Sequence, residues 1–396
     1  MLLTGGLHLA YCTNIHPGET WPETLANLER HTLAVRERVC PGAPYAIGLR
    51  LGARALAELE TPPARDTFRR WLERHRCYVF TLNGFPYGAF HGTRVKEQVY
   101  APDWTTDERL AYTCRLFDLL VDWLPPGVSG SVSTVPGSFK TFIRRPAQVR
   151  AMQERLWRCV DHLAALSERT GRDLHLGLEP EPLCFLETTA EVVRFFEELA
   201  ALRPDDDRWR RHLGVNYDTC HLAVEFESAP EGLERLRAAG IRLSKLHLSS
   251  ALKTPATPAA LERLAGFQDP VYFHQVVARD ASGRLQRFAD LPDALADPAA
   301  REAAEWRIHY HVPLHAALEP PFQTTADHLL ATLDYLRQHP GLCDHLEMET
   351  YTWSVLPPAL RQRDVVDQLV HEYRWTLEAL AQRGWRPSPE GPVLRR

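Results

Sequence analysis

The chain has 396 residues, 44% hydrophobic and 24% charged, an ordinary globular composition that can bury a large core. A formal net charge of -5, with the 18 histidines counted neutral, gives no sign of the basic face that duplex binding needs. The first basic residue is Arg30, so the segment 1–12 lacks the positive start of a secretory signal, and no apolar run approaches the roughly 18 residues of a membrane helix. The eight cysteines are scattered without a Cys-x-x-Cys pair, which suits free thiols in a reducing cytoplasm. The expectations are therefore a cytoplasmic location, no membrane insertion and no nucleic-acid partner.

Short apolar runs alternate with longer helical patterns from end to end. The runs are 7–11, 46–51, 77–82, 130–135, 174–178, 213–217, 243–248 and 346–348. Between them, Val149, Met152, Leu156, Val160 and Leu163 recur at helical spacing over 148–166. Val366, Leu369, Val370, Tyr373 and Leu377 do the same over 362–380. Strand-then-helix repetition predicts a parallel sheet, and eight such units favour an α/β (β/α)8 TIM barrel over an open doubly wound sheet. No glycine-rich phosphate loop follows the first run, which weakens a dinucleotide-binding reading.

A basic barrel takes about 250 residues, so roughly 150 remain for insertions and tails. The first break in the rhythm is 83–104, a long loop rich in Gly, Pro and aromatic residues. The second is 249–305, a long insertion between strands seven and eight. Within it, 271–279 and 284–288 flank Asp280-Ala281-Ser282-Gly283, a β-hairpin turn signal. The insertion is expected to fold over the strand-end face as part of one barrel domain, 1–385. The tail 386–396 is rich in Pro, Gly and Arg and is expected to be disordered.

Barrel enzymes place their chemistry where strands end and the following loops begin. The fifth run leads into Glu179-Pro180-Glu181, the sixth into Asp218-Thr219-Cys220-His221, the seventh carries His247, and the eighth carries Glu347-Met348-Glu349. A single acid at a strand end is usually a helix cap or an ion-pair partner. Four successive strands delivering an acid or a histidine at one level are harder to read as caps. Such a carboxylate-rich set with imidazoles suits a divalent metal: Mn²⁺, Zn²⁺, Mg²⁺ or Co²⁺. Other polar groups on strand-end loops, His16, Arg50, Asn83, Tyr87, His91, Lys96 and Glu181, are candidates for substrate binding, each with an ordinary packing role as the alternative. Phe85, Phe90, Tyr100, Trp104 and Trp353 would form an apolar wall over a ring or, equally, a loop core.

The order Glu, Asp-x-x-His, His, Glu over the last four strands resembles the xylose isomerase-like barrel superfamily. That group includes sugar isomerases, sugar phosphate isomerases and epimerases, and the endonuclease IV type of abasic-site nuclease. Within it, Tyr11-Cys12-Thr13-Asn14-Ile15-His16-Pro17-Gly18-Glu19-Thr20-Trp21 and Asn83-Gly84-Phe85-Pro86-Tyr87-Gly88 are similar to the EboE family of metabolite traffic proteins. The resemblance implies metal ligands Glu179, Asp218, His247 and Glu349. Glu349 is preferred to Glu347 because it sits at the strand end, with Glu347 directed to the helix layer.

The segment Arg307-Ile308-His309-Tyr310-His311 resembles the nuclease loop in which an Asp-x-His pair completes a second metal site, with His here replacing the Asp. His221, His309 and His311 are therefore candidates for a second metal or for substrate, against a histidine-rich edge strand. Arg50 and Asn83 stand where the nuclease has early-strand histidines, which counts against a trinuclear site.

The leading expectation is a divalent-metal-dependent isomerase or epimerase of a small hydroxy-carbonyl, sugar-like metabolite, with Glu179 and Glu349 catalytic. Its setting would be a bacterial metabolite export or traffic pathway, with partners from the same gene cluster. The alternatives are a metal-dependent hydrolase of the endonuclease IV type and a non-catalytic metabolite-binding barrel.

Overall fold

The structure, a computed structural model, describes residues 1–89, 96–268, 272–352 and 363–394. Eight parallel strands form a TIM barrel: β1 (His8–Tyr11), β2 (Tyr45–Arg50), β3 (Cys77–Asn83), β4 (Gly130–Thr134), β5 (Leu174–Leu178), β6 (Leu213–Asp218), β7 (Arg242–Leu248) and, last in the chain, His345–Met348. Each matches a run expected from sequence to within a residue. The final strand pairs with both β7 and β1, and a parallel bridge from Cys12 to Gly48 links β1 to β2. Helices fill the intervals. The two read from periodicity span Pro146–Thr170 and Val365–Ala381. The first starts at a proline, whose fixed φ suits helix position N1, and ends at Gly171 in the left-handed region (φ 68).

Strand alternation sorts the side chains between helix layer and lumen. On β5, Leu174, Leu176 and Leu178 are buried in the apolar core, while His175, Gly177 and then Glu179 turn inward. On β7, Leu246 and Leu248 join the core, while Lys245 and His247 turn inward. Barrel interiors are usually packed with branched apolar residues. This lumen is polar instead. Its lower level holds His8, His175 and His345, bonded to Tyr78, Ser244, Ser129 and Ser131. Above them lie Lys245, Glu347 and Ser133. The last level, at the strand ends, carries the candidate site.

The insertion is larger than the expected hairpin. β8 (Leu252–Pro255), β9 (Val276–Arg279), β10 (Leu285–Phe288), β11 (Glu305–Ile308) and β12 (Gln323–Thr324) make an antiparallel sheet in the order β10-β9-β11-β8-β12. The hairpin at Asp280–Gly283 is present between β9 and β10. The insertion runs past 305, however, and the last barrel strand is β13 (His345–Met348). β11 pairs on both sides, so it is an inner strand and not an edge, and His309 and His311 lie just beyond its end. The sheet is fastened to the barrel by Arg287 on Glu225 and by Arg307 Nη1 on the Ala223 carbonyl (2.6 Å). The start of the tail lies against the first residues of the chain: Pro387 bridges Leu3, and Ser388 N donates to the Leu2 carbonyl. Among the described residues no helix is long and apolar enough to cross a membrane.

Candidate metal centre

Glu179 follows β5, Asp218 ends β6, His247 lies near the end of β7 and Glu349 follows β13. One ligand atom from each of the four lies within 4.8 Å of the others, and all four residues are buried. His247 Nδ1 is 2.9 Å from Glu179 Oε1, 3.2 Å from Glu349 Oε2 and 3.4 Å from Asp218 Oδ2. Asp218 is also the cap of a short helix, Thr219–Val224. Its Oδ1 accepts from Cys220 N (2.7 Å), His221 N (3.1 Å) and Ser249 Oγ (2.6 Å). Those bonds aim Oδ2 at the centre. Glu349 Oε1 accepts from Asn14 Nδ2 (2.7 Å) and Asn83 Nδ2 (3.3 Å), which leaves Oε2 facing His247.

Whether these residues suit a cation is decided by what they leave unpaired. Glu179 Oε2 and Asp218 Oδ2 are buried oxygens with no hydrogen-bond partner among the described residues. An isolated buried carboxylate oxygen is costly, and a divalent ion is the partner that three clustered acids and an imidazole call for. Burial works against charging His247, but Glu349 and Glu179 outweigh it and raise the imidazole well above its usual value. Burial likewise opposes ionising Asp218, yet His221, His311 and His247 hold it well below the usual carboxylate range. Asp218 is held as an anion and positive charge is favoured at His247, the place a divalent ion takes when the imidazole gives up its proton, and the residues fit a metal.

A second cluster adjoins the first. His309 Nε2 is 3.2 Å from His311 Nε2, which is 3.4 Å from His221 Nε2. Each ring has its other nitrogen on a fixed acceptor: His221 Nδ1 on the Pro180 carbonyl (3.0 Å), His309 Nδ1 on Gln275 Oε1 (2.8 Å) and His311 Nδ1 on the Glu349 carbonyl (2.9 Å). In the neutral rings Nδ1–H therefore donates, and three Nε2 lone pairs converge. Burial, then His221 and His311, hold His309 well below the usual histidine value. Asp218 Oδ2 lies 3.8 Å from His221 Nε2, so one carboxylate stands between the two clusters. Asp218, His221 and His311 also have the spacing of a metal site.

Above both lies a cleft of about 530 Å³, counting its open mouth, bordered by Asn83, Tyr100, Glu181, Tyr272, Gln275 and Tyr351 among others. Tyr272, Phe273 and Gln275 come from the insertion, which thus roofs the strand-end face. Glu181 accepts from Tyr100 Oη (2.6 Å), and burial raises its carboxyl to about 7.

Of the sequence candidates for substrate, Asn83, Lys96 and Glu181 border this cleft. Lys96 does so already paired with Asp290. Three others are placed elsewhere. Arg50 is spent on Glu19 and the Gly18 and Gly88 carbonyls, His16 on Tyr11, and Tyr87 on Glu108. Phe85 and Tyr100 line the cleft, while Trp104 is loop core, its indole on Thr134. His91, Phe90 and Trp353 lie outside the described residues.

Glu347 requires a correction. It does not face the helix layer. It is fully buried in the lumen, with Oε2 2.9 Å from His247 Nε2. Residues two apart on a strand share a face, so Glu347 had to point the same way as Glu349. Lys245, Gln275 and Tyr351 were also missed. Lys245 was legible by the same rule, two residues before His247. Gln275 and Tyr351 carried no comparable signal.

No protein-family model matches the chain, and no curated relative does. Solved structures do match in fold. An L-ribulose 3-epimerase aligns at 11% identity over 96% of this chain and 96% of that one, with a TM-score of 0.52. A xylose isomerase-like TIM-barrel protein from Mycobacterium smegmatis, in complex with magnesium, aligns at 14% identity over 96% and 98%, TM-score 0.52. The IOLI protein, solved with a binding zinc atom, aligns at 13% identity over 95% and 99%, TM-score 0.51. At such identities the likeness is one of architecture, and the chain has the xylose isomerase-like TIM-barrel fold.

Proposed function

We propose that the chain is a divalent-metal-dependent isomerase or epimerase of a small hydroxy-carbonyl, sugar-like metabolite. The observation that carries this reading is the pair Glu179 and Glu349. They flank His247 at the floor of a roofed cleft, with Asp218 completing a four-residue cation set. A bound Mn²⁺, Zn²⁺, Mg²⁺ or Co²⁺ ion would supply a Lewis acid for a carbonyl and its neighbouring hydroxyl. One of the two glutamates takes a proton from the carbon beside the carbonyl, and the other returns one from the opposite side. Asn14 and Asn83 hold Glu349 in place for this, and the roof formed by Tyr272 and Phe273 limits water. The likeness of 11–21 and 83–88 to EboE proteins supports a role in metabolite traffic, in the cytoplasm, with partners from the same gene cluster.

A second reading, a metal-assisted hydrolase, is favoured by one observation: the three convergent imidazoles beside the carboxylate set, which suit paired metals.

The test is proton exchange. Manganese-loaded protein is incubated in D2O with a panel of ketoses, aldoses and cyclic hydroxy-ketones, and deuterium at the carbon beside the carbonyl is read by NMR. Exchange on at least one compound is expected, falling by about 10²–10⁴-fold in Glu349→Gln. Cleavage of phosphate esters with no exchange would replace this reading by the hydrolase.

A further inference from the structure

Beneath the carboxylate set, a second acid and a lysine are sealed in the lumen, touching neither solvent nor the cleft. Lys245 and Glu347 are each fully buried. Lys245 Nζ reaches Glu347 Oε2 and Ser133 Oγ (3.2 Å), and the same Glu347 oxygen lies 2.9 Å from His247 Nε2. β7 and β13 are in register here, His247 opposite Glu347. The lumen is shaped to hold the acid: a Cβ on Gly48 would overlap Glu347 Oε1. A buried ion pair is weak evidence for stability, since well-packed apolar residues serve as well or better. Its placement needs another reason.

We propose that Glu347, anchored by Lys245, is the positioning residue of the metal centre: it takes the Nε2–H of His247 and so fixes Nδ1 as the atom offered to the ion. This rests on the metal reading above. Imidazole can bind a metal through either nitrogen, and the choice is set by the hydrogen bond made by the other. His247 Nδ1 faces Glu179 Oε1, Glu349 Oε2 and Asp218 Oδ2 at 2.9, 3.2 and 3.4 Å, so it is the nitrogen turned to the cation set. Without an acceptor behind it, the ring is free to turn and to present either nitrogen.

The test compares paired variants, because removing one charge strands the other. Lys245→Met with Glu347→Gln removes both charges and keeps an acceptor for His247. Lys245→Met with Glu347→Leu removes both charges and the acceptor. Mn²⁺ affinity is measured by electron paramagnetic resonance, since a hard cation selects the carboxylate-rich set over the three imidazoles. Thermal unfolding of the metal-free proteins checks the fold. The glutamine pair should bind within about threefold of wild type and the leucine pair about 10–100-fold more weakly, at similar unfolding midpoints. If the leucine pair proves unstable, Glu347→Asp serves instead: it keeps the charge beside Lys245 but draws the acceptor back from His247, with a loss of about tenfold expected. Wild type that binds Mn²⁺ with no difference among the variants overturns the positioning role alone. Wild type that binds no divalent ion overturns the metal reading, and this one with it.

Discussion

His309 Nε2 and His311 Nε2 face each other at 3.2 Å, and as neutral rings with Nδ1–H bonded neither can donate to the other. Each ring gives its Nδ1–H to a fixed acceptor, so two lone pairs meet in a buried gap, with a third from His221 close by. Such an arrangement is costly unless a cation or a proton fills it. Because Asp218 stands between this cluster and the carboxylate set, the two groups share a residue. His311→Ala should lower bound zinc from about two ions per chain to about one, while Asp218→Ala should lower both occupancies. Elemental analysis of the reconstituted proteins checks this. Full occupancy in His311→Ala would leave the three imidazoles without a metal role.

Gln275 holds the orientation of His309. Its Oε1 accepts from His309 Nδ1, while its Nε2 donates towards Glu181 Oε1 and the Pro182 carbonyl, which fixes the amide. Gln275→Leu should weaken the second zinc by about 10–100-fold and leave the first unchanged. Stepwise chelator competition separates the two. Equal loss at both sites would point to general damage to the insertion.

Gly48 lies outside the left-handed region but has no room for a side chain. A Cβ there would overlap Glu347 Oε1 and crowd the Tyr11 carbonyl. Gly48→Ala should cost about 1–3 kcal/mol by overpacking. Urea unfolding of the metal-free protein measures it, and a variant as stable as wild type would mean that the lumen is looser than described.

The barrel was legible because its strands are short apolar runs of regular spacing, and the four-residue set because those runs stop at acids and histidines. Two misreadings have plain physical causes. Glu347 was turned to the helix layer against the two-residue period that it shares with Glu349. The insertion was cut at 305 because β11 and β12 are short, and 309–324 shows no strong alternation. What brings Gln275 to the cleft is tertiary folding of that insertion, and local sequence carries no trace of it, while Tyr351 comes from the loop just after the last barrel strand. Nor did sequence separate the buried roles of Arg50 and His16 from a place in the cleft, since each reads as a polar strand-end residue until its partners are known.

The lower lumen makes the metal-free protein acid-sensitive. Burial lowers His8 to about 3 from 6.5 and holds His175 and His345 well below that value. In the unfolded chain these rings take up protons as pH falls through about 6.5, whereas the folded state refuses them. Their contribution is therefore intact above pH 6.5 and is lost as pH falls towards the folded values. Each accounts for about 1.4 kcal/mol per pH unit within that window. His8→Gln removes one such group and keeps a partner for Tyr78. The slope of stability between about pH 6 and pH 4 should then shrink by about one proton, measured by urea unfolding in chelator. An unchanged slope would mean that His8 is already protonated in the folded protein.

Anomalous X-ray diffraction from crystals soaked in zinc or manganese reads the centre itself. The expected result is a peak bonded at about 2.0–2.3 Å to Glu179, Asp218, His247 and Glu349, with His247 ligating through Nδ1. A metal-soaked crystal with no peak among those four residues, or with peaks only at other side chains, would contradict the assignment of the metal centre.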